Sequence, residues 1–566
     1  MHRIRSKNKK APIFIFWHVV QYFIGQVRFF GFLSKAYFKA LLRKVMLMNF
    51  TILQIFNRSV TIEIENQDIY YSETPYDILL DGVPVLESET RNVVSLYGLT
   101  PDTKYVLTLQ GAEGEAFQSF TTKHESVRLN VKRFGAFGNG EADETNFLQA
   151  AILSCPEHGT VYFPKGTYLS GPLFLKSRIT IQLDEGAVLL GKTDRESYPL
   201  LPGRTWQTDE KGDYYLGSWE GSPLTGMASL LTGIHVQDVD IIGPGVVDGN
   251  AQNGDWWVNV REIRRGGRPR TLFLNHCDRI RVQGVTIRNS PSWTVHPYFS
   301  NDLHFLNLFI QNPADSPNTD GLNPESCRNV QIVGVHFSVG DDCVAIKSGK
   351  LFMGKRYKTP SSLITLRNCL MEKGHGAVVI GSEVSGGVNN VCVSRCLFLD
   401  TDRGLRVKTR RGRGEQSVLD NILFEQVHMK GVLAPFVINM FYFCDPDGKT
   451  EYVWSKEPFS VDDTTPTVGR LICRDVVCED SEQAGMYFYG LPESPIQSVE
   501  LENVTISFKE DARPGHPAMM DYVPEVKKLG LFAENVKRIS LKNVKVEGYE
   551  GEKFQIGRVD RFTEEN

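Results

Sequence analysis

From about residue 126 the chain repeats one short pattern, apolar-x-apolar-x-x-apolar-x-apolar. It runs as "IRVQGVTI" from Ile280, "LHFLNLFI" from Leu303, "VQIVGVHF" from Val330 and "ITLRNCLM" from Ile364. Further copies are "VCVSRCLF" from Val391, "ILFEQVHM" from Ile422, "LICRDVVC" from Leu471, "VELENVTI" from Val499 and "ISLKNVKV" from Ile539, with "VDIIGPGV" from Val239 a looser one. The first spacings are 23, 27, 34, 27 and 31 residues. A supersecondary unit recurring at such a period is the mark of a solenoid, because one unit cannot bury its apolar face alone. Each unit is two short strands and a turn, with no helix-length apolar pattern between units. The expected fold is therefore all-β, a parallel β-helix whose successive coils lie about 4.8 Å apart. Leucine-rich repeats are the rival solenoid, but their leucine ladder is missing.

Residues 48–125 read differently. "SVTIEIE", "YDILLDGVPV", "NVVSLYGL", "KYVLTLQG" and "AFQSFTT" are short strand patterns separated by turn signals. In "LYGLTPDTKYVLTL", Leu99, Pro101 and Tyr105 precede an alternating strand, a pattern that resembles a fibronectin type III sandwich with its corner tyrosine. No cluster of titratable groups appears there, so an accessory role is expected.

Residues 1–47 carry ten Lys or Arg and no acid, so the net charge of -4 hides a body of 53 basic and 67 acidic residues, about -14. So acidic a body excludes a general nucleic-acid binder. The apolar run from Ala11 to Leu33 suggests a membrane anchor, but His18, Gln21, Gln26 and Arg28 interrupt it and no small-residue cleavage site follows. We take this extension as upstream sequence, with a start at Met46 or Met48, and membrane contact only if the extension is real. Cys369, Cys396, Cys473 and Cys478 fall at core positions of strand patterns, where free Cys acts as a small hydrophobe. No zinc-like Cys/His spacing occurs, and nothing calls for a cofactor or metal. A reduced, cytoplasmic protein fits best, with a membrane-anchored or secreted one as the alternative.

Three acids stand out against the apolar background: Asp320, and the pair Asp341 and Asp342. The separation of 21 residues between Asp320 and Asp341 is close to one coil. A β-helix would make them neighbours on one face, and like charges that close raise the pKa of at least one member. Carboxyls with split pKa values are what acid–base chemistry at a glycosidic bond requires. On spacing alone, solvated turn aspartates explain them as well.

The ordered set N-T-D-G (Asn318–Gly321), G-D-D (Gly340–Asp342), G-H-G (Gly374–Gly376) and R-V-K (Arg406–Lys408) resembles the signature of glycoside hydrolase family 28, the polygalacturonases. The likeness extends over roughly 126–550 and includes "FGAFGNGEADETNFLQAAI", "GPGVVDGNAQNGDWW" and "IRNSPSWTVHP". It implies a right-handed β-helix and hydrolysis of galacturonosidic bonds with inversion, on polygalacturonate or oligogalacturonides. Asp341 then matches the general acid, its pKa raised by Asp320 and Asp342 as anionic neighbours. Asp320 and Asp342 match the residues that hold and activate water, and His375 matches the histidine beside the acid. Asn318 belongs to the substrate-binding set. Arg406 and Lys408 match the cations that bind the substrate carboxylate. Two apart on an extended segment, both face one way. Arg403, Arg410, Arg411 and Arg413 bring the run to six cations in eleven residues, which suggests an electropositive cleft. Insertions near 200–225 and 435–467, and the sandwich, resemble some exo-acting bacterial members, so exo action is expected. The alternatives are an endo-acting or rhamnogalacturonan hydrolase, a pectate lyase on the same scaffold, or a non-catalytic carbohydrate-binding β-helix.

Overall fold

The computed structural model describes residues 48–112, 114–205 and 215–565. The basic, apolar extension of residues 1–47 and part of the first insertion lie outside these.

A sandwich of two antiparallel sheets comes first. Phe50–Ile55, Ser59–Ile64 and Val93–Tyr97 form one sheet. Val83–Arg91, Tyr71–Leu80, Lys104–Gly111 and Gly114–Thr121 form the other. "YDILLDGVPV" is a hairpin rather than one strand, because Asp81 and Gly82 both take positive φ and make the tight turn that antiparallel strands favour. Leu99 is buried in the sandwich core, and the Tyr105 hydroxyl accepts the Thr100 backbone N–H at 3.0 Å.

The β-helix begins at Arg128–Asn130. The helix Thr145–Ser154 buries Leu148, Ala151 and Ile152 against the first coils and so covers the apolar end that a solenoid would otherwise expose. Just before it, the buried Glu144 carboxylate accepts the backbone N–H groups of Phe137 and Gly138 at 2.6 and 2.8 Å. From there the repeat stacks in register, strand on parallel strand. Val282, Phe305, Ile332, Leu366, Val393, Phe424, Cys473, Leu501 and Leu541 pair each with the next, in one internal column. The two x positions of the pattern also have a physical reason. The second is the sharp corner between strands, and Gly284, Asn307, Gly334, Asn368, Arg395, Gln426, Asp475, Asn503 and Asn543 all take positive φ there. Asn, Asp and Gly predominate because left-handed backbone costs them least.

The opposite face of the solenoid is less continuous. Leu173–Phe174, Leu231–Ile234, Leu272–Asn275 and Val295–Tyr298 make one parallel sheet, and seven strands from Asp342–Ile346 to Phe554–Ile556 make another. Between them lies the coil of Asp320, joined to its neighbours by single bridges at Leu322 and Glu325.

The sandwich abuts the corners of the long sheet. Phe56 and Val93 pack with Ile242, Leu306 and Val333. Gln283 bonds Ser59 and Thr61 at 2.8 and 2.9 Å, and Glu63 takes Arg367 at 2.8 Å and Asn368 at 2.7 Å. Gly284 and Gly334 stand where the sandwich comes closest: a Cβ would meet Tyr97 and Val93 respectively. All ten cysteines are unpaired, and Cys369, Cys396, Cys473 and Cys478 are buried as their strand positions suggest. No described helix is long and apolar enough to cross a membrane.

Candidate active site

The site forms on the coil that joins the two cleft-side sheets. Gly321 N–H donates to the Asp342 carbonyl at 2.9 Å, and Leu322 bridges to Val344, so Asp320 lies one coil from Asp342. Asp342 in turn pairs with Gly376 on the next coil, and Val379 with Arg406 on the one after. The four motifs thus occupy four successive coils. The glycines permit this approach. A side chain at Gly374 would drive into the Asp341 carbonyl, and one at Gly340 into the Ser316 carbonyl.

The three carboxyls have different surroundings. Asp342 is buried, with Lys408 Nζ at 2.7 Å and an Arg406 Nη1 at 3.6 Å. Burial opposes its ionisation, but the two cations outweigh it and hold the carboxyl below its ordinary value. Asp341 is only partly buried and opens into the cleft. Burial and then the Asp342 charge push it up. Asp320 is buried, accepts Asn323 Nδ2 at 2.7 Å, and is pushed well up by burial and Asp341. Asp342 has Lys408 and Arg406 against it, whereas Lys347 only partly offsets the burial of Asp320 and Asp341, so the three carboxyls are held apart.

His375 is exposed at the cleft rim. Its backbone N–H donates to the Asp341 carbonyl at 3.1 Å, and its Nδ1 lies 3.7 Å from Asp402. Asn318 has φ +57° and accepts Arg268 Nη2 at 2.6 Å. Arg268 was not anticipated: it belongs to none of the four motifs and sits among Arg261, Arg264, Arg265 and Arg270. Behind the acids, Lys347 pairs with Glu383 at 2.8 Å, and His296 with Glu325 at 2.9 Å, all four buried.

The arginine run is the clearest departure from expectation. Arg406 and Lys408 do face one way, towards Asp342. Arg410, Arg411 and Arg413 are instead buried supports. Arg410 bonds Asp447 at 2.8 Å, Arg411 bonds Glu493 at 2.9 Å, and Arg413 donates to the Ser382 carbonyl at 2.7 Å and to Asp445 at 3.3 Å. Arg403 is buried against the Pro517 and His516 carbonyls. Buried charges need partners, and these find them in loops far along the chain.

A cleft of about 590 Å³ runs from Asp341, Gly340 and His375 past Asn318 and Arg268 to Trp219, Glu220 and the loop 260–267. Among the described residues, none of its wall comes from the sandwich. Lys350 ties the two insertions together beside it, 3.8 Å from Glu220 and 2.9 Å from Asp445.

The model of the glycosyl hydrolases family 28 matches residues 175–512, and one described as rhamnogalacturonase A/epimerase, pectate lyase-like matches residues 128–192. A probable polygalacturonase of Vitis vinifera is 31% identical over 391 residues, 67% of this chain and 74% of its own length. An endo-polygalacturonase of Pectobacterium carotovorum subsp. carotovorum is 28% identical over 344 residues, 58% of this chain and 79% of its own. Among solved structures, an exopolygalacturonase from Thermotoga maritima matches with TM-score 0.60 and 25% identity over 74% of this chain and 92% of its own. A family 28 exopolygalacturonase of Yersinia enterocolitica shares the fold over 91% of this chain and 98% of its own, with TM-score 0.67 and 19% identity. With a right-handed parallel β-helix, the four motifs on adjacent coils and a family model over more than half its length, the chain belongs to glycosyl hydrolase family 28.

Proposed function

We propose that the protein hydrolyses α-1,4-galacturonosidic bonds in polygalacturonate or oligogalacturonides, with inversion and from a chain end. The observation that carries this reading is the split among the three carboxyls. One, Asp342, is pinned as an anion by Lys408 and Arg406. Another, Asp341, faces the cleft with its charge disfavoured. Asp341 is then the general acid that protonates the leaving glycosidic oxygen. Asp342 takes a proton from the attacking water, and Asp320 helps to hold that water. His375 is positioned to bind substrate beside the acid. Arg406 and Lys408 keep Asp342 ionised and offer their remaining donors to a substrate carboxylate. The relatives named for polygalacturonase activity support the substrate.

Exo action is supported by the wall of Trp219, Glu220 and Leu224 on one side of the cleft and by the tie between the insertions through Lys350. The sandwich, read as fibronectin type III-like, serves as an accessory unit.

The test is a product profile on polygalacturonate and trigalacturonate, followed by NMR of the anomeric protons. We expect saturated mono- or digalacturonate, released first as the β-anomer. Asp341→Asn should lose about 10²–10⁴-fold in kcat without loss of fold. A ladder of oligomers would reject exo action, an α-anomeric first product would reject inversion, and an unsaturated product would reject hydrolysis.

A further inference from the structure

Most of the cations that reach the cleft side of the β-helix already have a carboxylate. Lys408 and Arg406 have Asp342, Lys347 has Glu383, and Lys350 has Asp445. Arg268 differs. It walls the cleft, is only 6% exposed, and among the described residues makes no ion pair. Its bonds go to neutral acceptors: Nη1 to the Pro291 and Pro317 carbonyls at 2.9 and 3.2 Å, and Nη2 to Asn318 Oδ1 at 2.6 Å. Of five guanidinium hydrogens, these use three. One on Nη2 and the Nε–H remain, and Nε has no acceptor among the described residues. Burial, and then Arg195, lower its pKa to about 10, which the Glu220 charge on the same cleft wall only partly offsets. The Trp219 ring lies 5.3 Å from the guanidinium and walls the same cleft, a flat apolar surface beside a cation.

We infer that Arg268 is a specificity-determining residue that binds the carboxylate of a uronate unit in the Trp219 arm of the cleft, apart from Arg406 and Lys408. The inference rests on the galacturonan reading and adds a second point at which acid is told from neutral sugar. A buried guanidinium with a spare donor gains most from a carboxylate, which it can take through its free Nη2 hydrogen. Trp219, backed by Trp293 at 5.8 Å, lends its exposed part as apolar surface for the sugar ring. Through Asn318, the same side chain ties this subsite to the loop that carries Asp320.

The alternative is that Arg268 only anchors that loop. Calorimetric titration of the Asp341→Asn protein with trigalacturonate and with its fully methyl-esterified counterpart separates the two. Without turnover, binding alone is read. We expect Arg268→Gln in that background to weaken the acid trimer about 10–100-fold, the usual range for losing a charge-assisted bond. The ester should shift less than about threefold, and Arg268→Lys should recover part of the acid affinity. Equal weakening of acid and ester, unchanged acid affinity, or no binding of the acid by Asp341→Asn would each overturn the inference. If Arg268→Gln does not fold, the Arg268→Lys ratio of acid to ester affinity decides, and must still fall. Absence of galacturonan turnover by the wild type, with Arg268-dependent binding intact, would reject the hydrolytic reading and leave the subsite standing.

Discussion

The two faces of the solenoid are built by the same rule and put to different use. The long sheet keeps its register from coil to coil, with an apolar column inside and left-handed corners outside. The cleft face is shorter-stranded, and at the coil of Asp320 only Leu322 and Glu325 bridge to their neighbours. That coil is still hydrogen-bonded on both sides: Thr294 N–H donates to the Asp320 carbonyl, and Leu322 N–H to the Cys343 carbonyl. Asp320 is buried there, while Asp341 on the next coil stays at the cleft. The long sheet provides the stability, and the cleft face provides places for charges that a core would reject.

Three substitutions sharpen the contrast. The largest effect is expected from Lys408→Met on the cleft face. It removes the cation that holds Asp342 ionised, so the Asp342 pKa rises. Activity that needs the Asp342 anion is lost as pH falls through that pKa, so the acidic limb of kcat against pH should move to higher pH. With its water base weakened, the enzyme should lose about 10²-fold or more at its optimum. An unmoved acidic limb would remove Lys408 from this role.

On the long sheet, Ile332→Ala should destabilise by about 2–5 kcal/mol, the cost of a buried cavity, while the pH limits of the remaining activity stay put. Denaturant unfolding and a pH profile on the same sample check both halves. A shifted profile would mean that the two faces are coupled. Smallest is Asn503→Ala at an exposed corner. An alanine in left-handed backbone costs about 1–2 kcal/mol, so thermal unfolding should drop by a few degrees at most, with kcat unchanged.

This division also explains what could be read in advance. Each copy of the repeat from Ile280 to Ile539 marks a strand, and its internal residues stack one to one, because an apolar alternation has few ways to be buried. The meeting of Asp320 with Asp342 followed from their distance of about one coil. Arg406 and Lys408 converge because alternate residues of a strand share a face. The roles of Arg410, Arg411 and Arg413 were not legible. Their partners Asp447, Glu493 and Asp445 sit in loops whose paths no period encodes. In a run of basic residues, a support and a binding residue look alike until those loops are folded. Arg268 escaped for a like reason: it shares a stretch with Arg261, Arg264, Arg265 and Arg270, and nothing in the sequence marks which of them wall the cleft.

Among the described residues the sandwich contributes nothing to the cleft wall, yet its contacts fall at or beside the corners, on Ile242, Gln283, Leu306, Val333, Asn368, Arg395 and Gln426. These lie on seven coils in succession, and the coils that begin at Arg328, Ser361 and Val388 go on to carry Asp341, His375 and Arg406. A bare solenoid can open by unzipping from an end, each coil answering only to its neighbours. A splint fastened across seven of them converts those separate openings into one event. The catalytic segment should then exchange its amide protons only with the whole splinted block, while coils beyond Gln426 remain free to fray.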